Sequence, residues 1–408
     1  MEYYWLVSLS LGESDRQTKM KKMKRSKKLL ASIFTLIFLP IVYVIRLFKG
    51  ELFRPVLLPE DLKKILVIEM FGIGDFVMAS STFRALRERY PLAEITLLAT
   101  PIFRALAEDC PYFNKIVFFE CPWPKQSIYK FNIKKMFTTI KCLRKEKFDV
   151  AIDLRGDLRN ILFQYFLGAK YRVGYNIGSG GFLLTNEVPF NKNLKHQIDR
   201  NLDIAKFLGA EIKSSQPELW VENNNSYMNK LLKTIDYNKH DVLIGIHPGA
   251  NWYVRRWSTS KFRELITRLN QVPDVKIVLI ASPKEHYLLN EIGDSTLNVC
   301  SIITKDLKEL AILTKRCHLL ICNDSAPMHI ATALGTPVIA LFGPQEPAFN
   351  GPYGNNNIVL RHIVQCSPCT QSVCQRPGNS CMDNIKVEEV YENTVRKIQD
   401  IRKNIIDL

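Results

Sequence analysis

Several absences narrow the reading before any motif is taken up. The 408-residue chain has no Asp-x-Asp pair. Enzymes that grip a diphosphate through a divalent ion commonly use such paired carboxylates, so no dedicated metal clamp is expected. Zinc-finger spacing, an RRM signature and a heptad-linked basic helix are also missing. Nucleic acid is therefore the weakest of the partners that a net charge of +16 would suit, behind anionic lipid and phosphorylated substrates. There is no short-period repeat. The charge-free run Leu29–Ile45 has only seventeen residues, the lower limit for crossing a bilayer. No small-residue cleavage site follows it, which counts against a signal peptide.

Charge and cysteine are unevenly spread. Residues 1–50 carry a net +7, and Lys19 to Lys28 alone holds seven Lys/Arg; the remaining 358 residues carry +9. Pro40 permits a kink in the apolar run, and basic residues flank it on both sides. The run has no polar face, which disfavours a buried core helix. Six cysteines (Cys110, Cys121, Cys142, Cys300, Cys317, Cys322) are scattered without a framework, as in a reducing compartment. The other four, Cys366, Cys369, Cys374 and Cys381, lie in one Pro- and Gly-containing loop. They are read as packing thiols, with a structural zinc site as the alternative.

Apolar runs alternate with helical patterns through the body. In the first half, strands are expected at Ile65–Glu69, Ile95–Ala99, Ile116–Phe119 and Val150–Leu154. In the second they are expected at Val242–Ile246, Ile277–Ala281, Val299–Ile303, Leu319–Cys322, Val338–Phe342 and Ile358–Leu360. Helices fit Thr259–Leu269, Lys284–Ile292, Leu307–Thr314, Ala326–Leu334 and, as a charged amphipathic close, Val387–Ile406. This pattern predicts an α/β chain of two doubly wound, Rossmann-like domains facing a cleft. The domains are placed at 61–235 and 240–385, with 1–50 as a membrane-anchoring segment and 386–408 as a C-terminal helix.

Three strand-to-helix turns carry the candidate chemistry. Gly72-Ile73-Gly74-Asp75 follows the first strand; Gly72 and Gly74 would let a ligand approach the backbone, and Asp75 is a candidate base or a helix cap. His247-Pro248-Gly249-Ala250 and Arg255-Arg256-Trp257 follow the first strand of the second half. Gly249 offers close backbone approach, and Arg255 or Arg256 a cation for a departing diphosphate. Asn323-Asp324-Ser325 supplies cap residues to the helix at Ala326, whose N-terminus suits a phosphate or sugar. Glu285, in Ser282-Pro283-Lys284-Glu285, is a first-turn acid that suits the dipole of its helix.

The ordered run Asp324-Ser325-x-x-x-His329, Ala331, Ala333-Leu334-Gly335-Thr336-Pro337 and Phe342-Gly343-Pro344 resembles the donor-site signature of glycosyltransferase family 9. That family contains the ADP-heptose:lipopolysaccharide heptosyltransferases. The chain departs from the family pattern at Ala326, usually Gly, and at Arg255, usually Lys. The resemblance, over roughly residues 62–390, implies a GT-B architecture and an inverting, metal-independent transferase. Asp75 would be its base, while Gly249, Arg255 or Arg256, Glu285, Asp324, Ser325 and His329 would hold the donor.

Under the same resemblance the enzyme needs no cofactor beyond a nucleotide-diphosphate sugar, by analogy ADP-heptose, as co-substrate. The expected partners are that donor, a lipid-linked acceptor in lipopolysaccharide core assembly and a membrane surface, with the chain a monomer. An anchor that exported the body would separate it from its donor, so a peripheral or monotopic placement on the cytoplasmic face of the inner membrane is expected. Another nucleotide sugar, or a non-catalytic membrane-tethered nucleotide-sugar binding module, is the alternative. A nicotinamide oxidoreductase is disfavoured because Val77 stands where a third glycine belongs.

Overall fold

The computed structural model describes residues 59–406 apart from 123–129, 131, 178–179, 191–194, 222–236, 239, 294–296, 298, 370–372, 375 and 377–379. The basic N-terminal segment, the run Leu29–Ile45 and the Asn-rich patch Glu222–Asn225 lie outside the described residues.

Two six-stranded sheets, parallel throughout, form the centres of the two halves. The first comprises β1 (Lys64–Glu69), β2 (Glu94–Ala99), β3 (Lys115–Phe118), β4 (Val150–Asp153), β5 (Tyr171–Tyr175) and β6 (Asn186–Val188). The second comprises β7 (Val242–His247), β8 (Val275–Ala281), β9 (Cys300–Ile303), β10 (Leu319–Asn323), β11 (Val338–Phe342) and β12 (Ile358–Arg361). Their orders, β3-β2-β1-β4-β5-β6 and β12-β11-β10-β7-β8-β9, describe the same doubly wound sheet in each half. In such sheets the chain departs in opposite directions on either side of one strand pair, leaving a crevice at the carboxyl ends. Here the pairs are β1/β4, with Ile68 beside Asp153, and β7/β10, with His247 beside Cys322.

Central strands are apolar because helices cover both faces; β1, β7, β10 and β11 are buried almost throughout. The helices are α1 (Ile73–Arg89), α2 (Arg104–Ala107), α3 (Ile133–Lys145), α4 (Leu158–Leu167), α5 (Gln197–Phe207), α6 (Thr259–Leu269), α7 (His286–Ile292), α8 (Leu307–Arg316), α9 (Ala326–Ala333), α10 (Pro347–Asn350) and α11 (Val387–Ile406). Pro283 opens a 3-10 turn ahead of α7, so the helix expected from Lys284 begins at His286. None of the described helices is long and apolar enough to cross a membrane.

Helix α1 is buried on nearly every side, because α5 covers it within its own half and α9 meets it from the other. One apolar cluster runs through that contact, taking in Phe76 and Phe83 from α1 and Met328 and Ile330 from α9. Polar ties reinforce it: Gln216 donates to the Thr332 carbonyl at 3.1 Å, and the Tyr353 hydroxyl bonds Asp199 at 3.0 Å. The halves therefore meet with α1 and α9 back to front, which brings their two crevices together.

Candidate active site

On the first half, the crevice is a carboxylate cluster around one guanidinium. Asp75 stands in the first turn of α1, a position the helix dipole favours for an anion. The cap position is Gly72, and Asp75 makes no capping bond; its Oδ1 instead accepts from Arg155 Nη1 at 2.6 Å. Arg155 comes from the turn after β4. Asp153 builds that turn by accepting from Gly156 N (2.7 Å), Arg155 N (3.3 Å) and Asn160 Nδ2 (2.8 Å). Gly156 adopts φ +68°, and a Cβ there would lie 2.8 Å from the Tyr175 carbonyl, so only glycine fits.

Glu69, the last residue of β1, is completely buried. Its Oε1 accepts from Phe71 N at 3.0 Å, and among the described residues its Oε2 has no partner. Burial, and then the Asp75 charge, push its carboxyl up to about 8, although Arg155 acts against them. Asp153 is likewise pushed up, to about 6, chiefly by burial. One cation thus serves several acids, and of the two that are fully buried Glu69 is raised the further.

The second half presents a frame rather than a cluster. Asn323, at the end of β10, donates through Nδ2 to the Pro248 carbonyl (2.7 Å) and accepts through Oδ1 from Trp257 N (3.0 Å). It ties the Gly249 turn to the segment that carries the arginines. Trp257 is in turn anchored by Nε1 to the Ile385 carbonyl at 3.0 Å.

Arg255, in a short 3-10 turn, brings Nη1 within 3.1 Å of Asp324 Oδ2. That oxygen is buried and makes no aligned hydrogen bond, so the contact is an ion pair by proximity. Burial pushes Asp324 up to about 6, with Arg255 opposing. Arg256 is engaged elsewhere. Its Nε donates to the Ala250 carbonyl at 2.7 Å and its Nη1 to the Tyr287 hydroxyl. The expectation of a choice between two cations thus resolves into one residue at the acid and one holding the loop.

Glu285 lies against the Gly249 turn. A Cβ at residue 249 would fall 2.1 Å from its Oε1, and its Oε2 accepts from Ser282 Oγ at 2.5 Å. His247, buried beneath it with Nε2 3.8 Å from Glu285 Oε2, is kept neutral by burial. Ser325 occupies the cap position of α9, but its Oγ donates to the Asn323 carbonyl at 3.2 Å and gives the helix nothing. The expected capping by Asp324 and Ser325 is therefore absent. Their side chains serve the loop, while in the first turn of α9 Pro327 has no N–H and Met328 N donates to the Ser325 carbonyl at 3.2 Å.

The two halves touch where Gly74 meets His329; a Cβ on Gly74 would lie 2.7 Å from the imidazole. Gly72 is similarly filled, its Cβ position 2.9 Å from Asp75 Oδ2. These glycines make room for Asp75 and His329 where the sequence suggested space for a ligand. His329 is 7% exposed, and burial, then His196 and Arg255, drive its pKa down to about 3. It faces the crevice as a neutral ring. His196, at the cap of α5, reaches across to the Gly351 carbonyl at 3.0 Å.

Sequence reasoning did not single out Glu69, Arg155, His196 or Asn323. For Asn323 the signal was available, since a polar residue closing an otherwise apolar strand needs partners. Cys366, Cys374 and Cys381 of the 366–381 loop are free thiols, and among the described residues no group of three or more His, Cys, Asp or Glu could hold a metal.

Twin Rossmann-like halves, with Asp75 and Arg155 at one switch point and Asn323, Asp324 and Arg255 at the other, have the two-sheet arrangement of GT-B glycosyltransferases. A family model for glycosyltransferase family 9 (heptosyltransferase) matches residues 136–379. Lipopolysaccharide heptosyltransferase 2 of Salmonella typhimurium is 30% identical over 315 residues, spanning 74% of this chain and 88% of that protein. Lipooligosaccharide heptosyltransferase 2 of Campylobacter jejuni is 27% identical over 333 residues, spanning 78% and 94%. The structure of Escherichia coli ADP-heptose lipopolysaccharide heptosyltransferase II superposes with a TM-score of 0.66 at 25% identity, covering 83% of this chain and 99% of that one. This chain belongs to glycosyltransferase family 9.

Proposed function

We propose that the protein is an inverting heptosyltransferase that moves heptose from ADP-heptose to a lipid-linked acceptor during lipopolysaccharide core assembly, without a metal ion. The observation that carries this reading is the placement of Asp75 across the crevice from α9, with Gly74 against His329. The names of the relatives supply the donor and the pathway.

In this mechanism the Asp75 carboxylate takes the proton of an acceptor hydroxyl. The freed oxygen attacks the anomeric carbon from the face opposite the diphosphate, the bond to the diphosphate breaks, and the configuration inverts. Charge growing on the leaving group is met by Arg255 and by the positive end of the α9 dipole. Neutral His329 donates or accepts a hydrogen bond there without adding charge. Cationic and backbone donors in place of paired carboxylates support a metal-independent donor site.

The Asp75–Arg155 pair has a consequence for this scheme. Arg155 occupies Asp75 Oδ1, so an acceptor anion that engages Arg155 would free that oxygen to meet the acceptor hydroxyl. A phosphorylated or carboxylated acceptor fits that requirement. The peripheral placement on the cytoplasmic face and the monomeric state belong to the same proposal.

The test is turnover. Purified protein is given ADP-heptose or UDP-sugars with a lipid-linked core acceptor, in EDTA and then in magnesium. Transfer from ADP-heptose alone, undiminished by EDTA, is the expected result. Transfer from a UDP-sugar changes the donor, restoration by magnesium removes the metal-free mechanism, and donor binding without transfer identifies a binding module.

A further inference from the structure

The face of α3 supplies an inference beyond the crevice. The buried stripe of this helix is Met136, Ile140 and Leu143, which pack on the first half's outer core. Beside that stripe stand Ile133 and Phe137, one turn apart, 52% and 57% exposed. Large apolar side chains so placed on a surface helix have no folding role to account for them. On α4, Phe166 is also 48% exposed. Arg144 of α3 leans over the end of that helix, its Nε 3.5 Å from where a Cβ on Gly168 would be. Phe166 thus lies with Arg144 at the far end of α3 from Ile133 and Phe137, and the surface in question is that of α3 itself.

Its charge is of one sign. The thirteen residues of α3 include Lys134, Lys135, Lys141, Arg144 and Lys145 and no acid. Among the described residues only Lys135 of these is ion-paired, to Glu120 at 2.6 Å. Stepping round the helix from Phe137, Lys141 and Lys134 come next, so cations rim the apolar edge. Long basic stems beside shallowly inserted apolar groups are what an interfacial helix uses against anionic headgroups. An acidic protein surface would match the charge but would leave Ile133 and Phe137 without a purpose at their present exposure.

Position agrees. Between the parallel strands β3 and β4, α3 must run back from the carboxyl end of the sheet, so Ile133 and Phe137 lie at that end. Asp75 and Arg155 follow the carboxyl ends of β1 and β4, on the same edge. We infer that the α3 face is a docking surface for an anionic lipid bilayer, which sets the acceptor mouth of the crevice against the membrane. The purpose assigned to this docking rests on the lipid-linked acceptor proposed above; the docking itself does not.

Leu92 provides an internal control. It is 99% exposed but lies in the turn between α1 and β2, at the opposite end of the sheet. The full chain is made with photoreactive benzoylphenylalanine in place of Phe137 or, separately, of Leu92. Each protein is irradiated with vesicles of phosphatidylglycerol and phosphatidylcholine, or of phosphatidylcholine alone. Lipid adducts at position 137 should exceed those at 92 at least tenfold on the anionic vesicles, and should fall severalfold on neutral vesicles or in high salt.

Equal labelling at the two positions overturns the proposal. So does an adduct from position 137 to a second copy of the chain or to residues 29–45, since either would show a protein occupant. The readout involves no turnover, so it separates failure of this surface from failure of the proposed reaction.

Discussion

The two switch points use the same sheet geometry for opposite electrostatic ends. At β1/β4, three acids, Glu69, Asp75 and Asp153, surround a single arginine, and one carboxyl is buried with an unpartnered oxygen. At β7/β10, a neutral amide, Asn323, fixes two backbone segments, Arg255 meets Asp324, and Arg256 and Glu285 flank the Gly249 turn. On the reading proposed above, the first arrangement takes up the acceptor's proton and the second receives the donor's negative charge, although Asp324 there is itself pushed up to about 6 by burial. Duplicated topology has thus been divided into a proton side and an anion side by the residues at the strand ends.

The comparison can be broken most severely at Asp75. Asp75→Asn should lower kcat about 10²–10⁴-fold, the usual worth of a general base, while donor Kd stays within about twofold. A loss of donor affinity of similar size would move Asp75 to the anion side. Next in size is Arg255→Ala. Removing a charge-assisted contact of about 1.5–3 kcal/mol should weaken donor binding about 10- to 100-fold, and Arg255→Lys should recover much of it. Titration calorimetry with ADP decides this. Arg256→Ala should leave donor Kd nearer to wild type and instead lower Tm, because its bonds go to Ala250 and Tyr287.

A smaller effect, on stability alone, is expected from Asn323→Ala. It leaves the Pro248 carbonyl and the Trp257 amide without their present partner, at a cost on the order of 1–3 kcal/mol by denaturant unfolding. An unchanged midpoint would mean that water replaces the amide. The smallest effect concerns the proton side. Glu69 is raised from 4.5 to about 8 in the fold, so its contribution is complete below pH 4.5 and is lost as pH climbs through 8. The buried histidines and Asp153 titrate lower, which leaves pH 6.5–8.5 to report Glu69. Wild-type stability should decline across that window, and Glu69→Gln should flatten the decline. A slope that survives the substitution assigns it to another group.

Much of the architecture was legible as apolar runs, because central parallel strands are buried on both faces. Val387–Ile406 and Thr259–Leu269 stand as helices where their periodicity placed them. Strands β5 and β6 were not legible, although the edge strands β3, β9 and β12 were. Tyr171–Tyr175 mixes Arg172 and Gly174 into its run, and Asn186–Val188 has only three residues. Of the site, the turns showed in the sequence but not the reasons for their residues. Asp75 and Arg155 are 80 positions apart, and His196 meets Gly351 across 155. No local pattern encodes such pairings. The reading of Asp324 and Ser325 as caps followed a sound local rule, which the neighbouring Asn323 overrides by drawing the segment into the loop frame.

The contact between Gly74 and His329 has a mechanical consequence. Gly74 has an ordinary negative φ, so its own backbone would tolerate alanine without strain; the obstacle is the ring on the other half. That ring is buried, so an added methyl group would have to displace it within packed surroundings. The width of the gap between nucleophile side and donor side is consequently gauged by a single hydrogen atom. A methyl group there would act as a shim, prising apart two bodies that are each intact, and the chemistry would fail through distance with every reacting group still present.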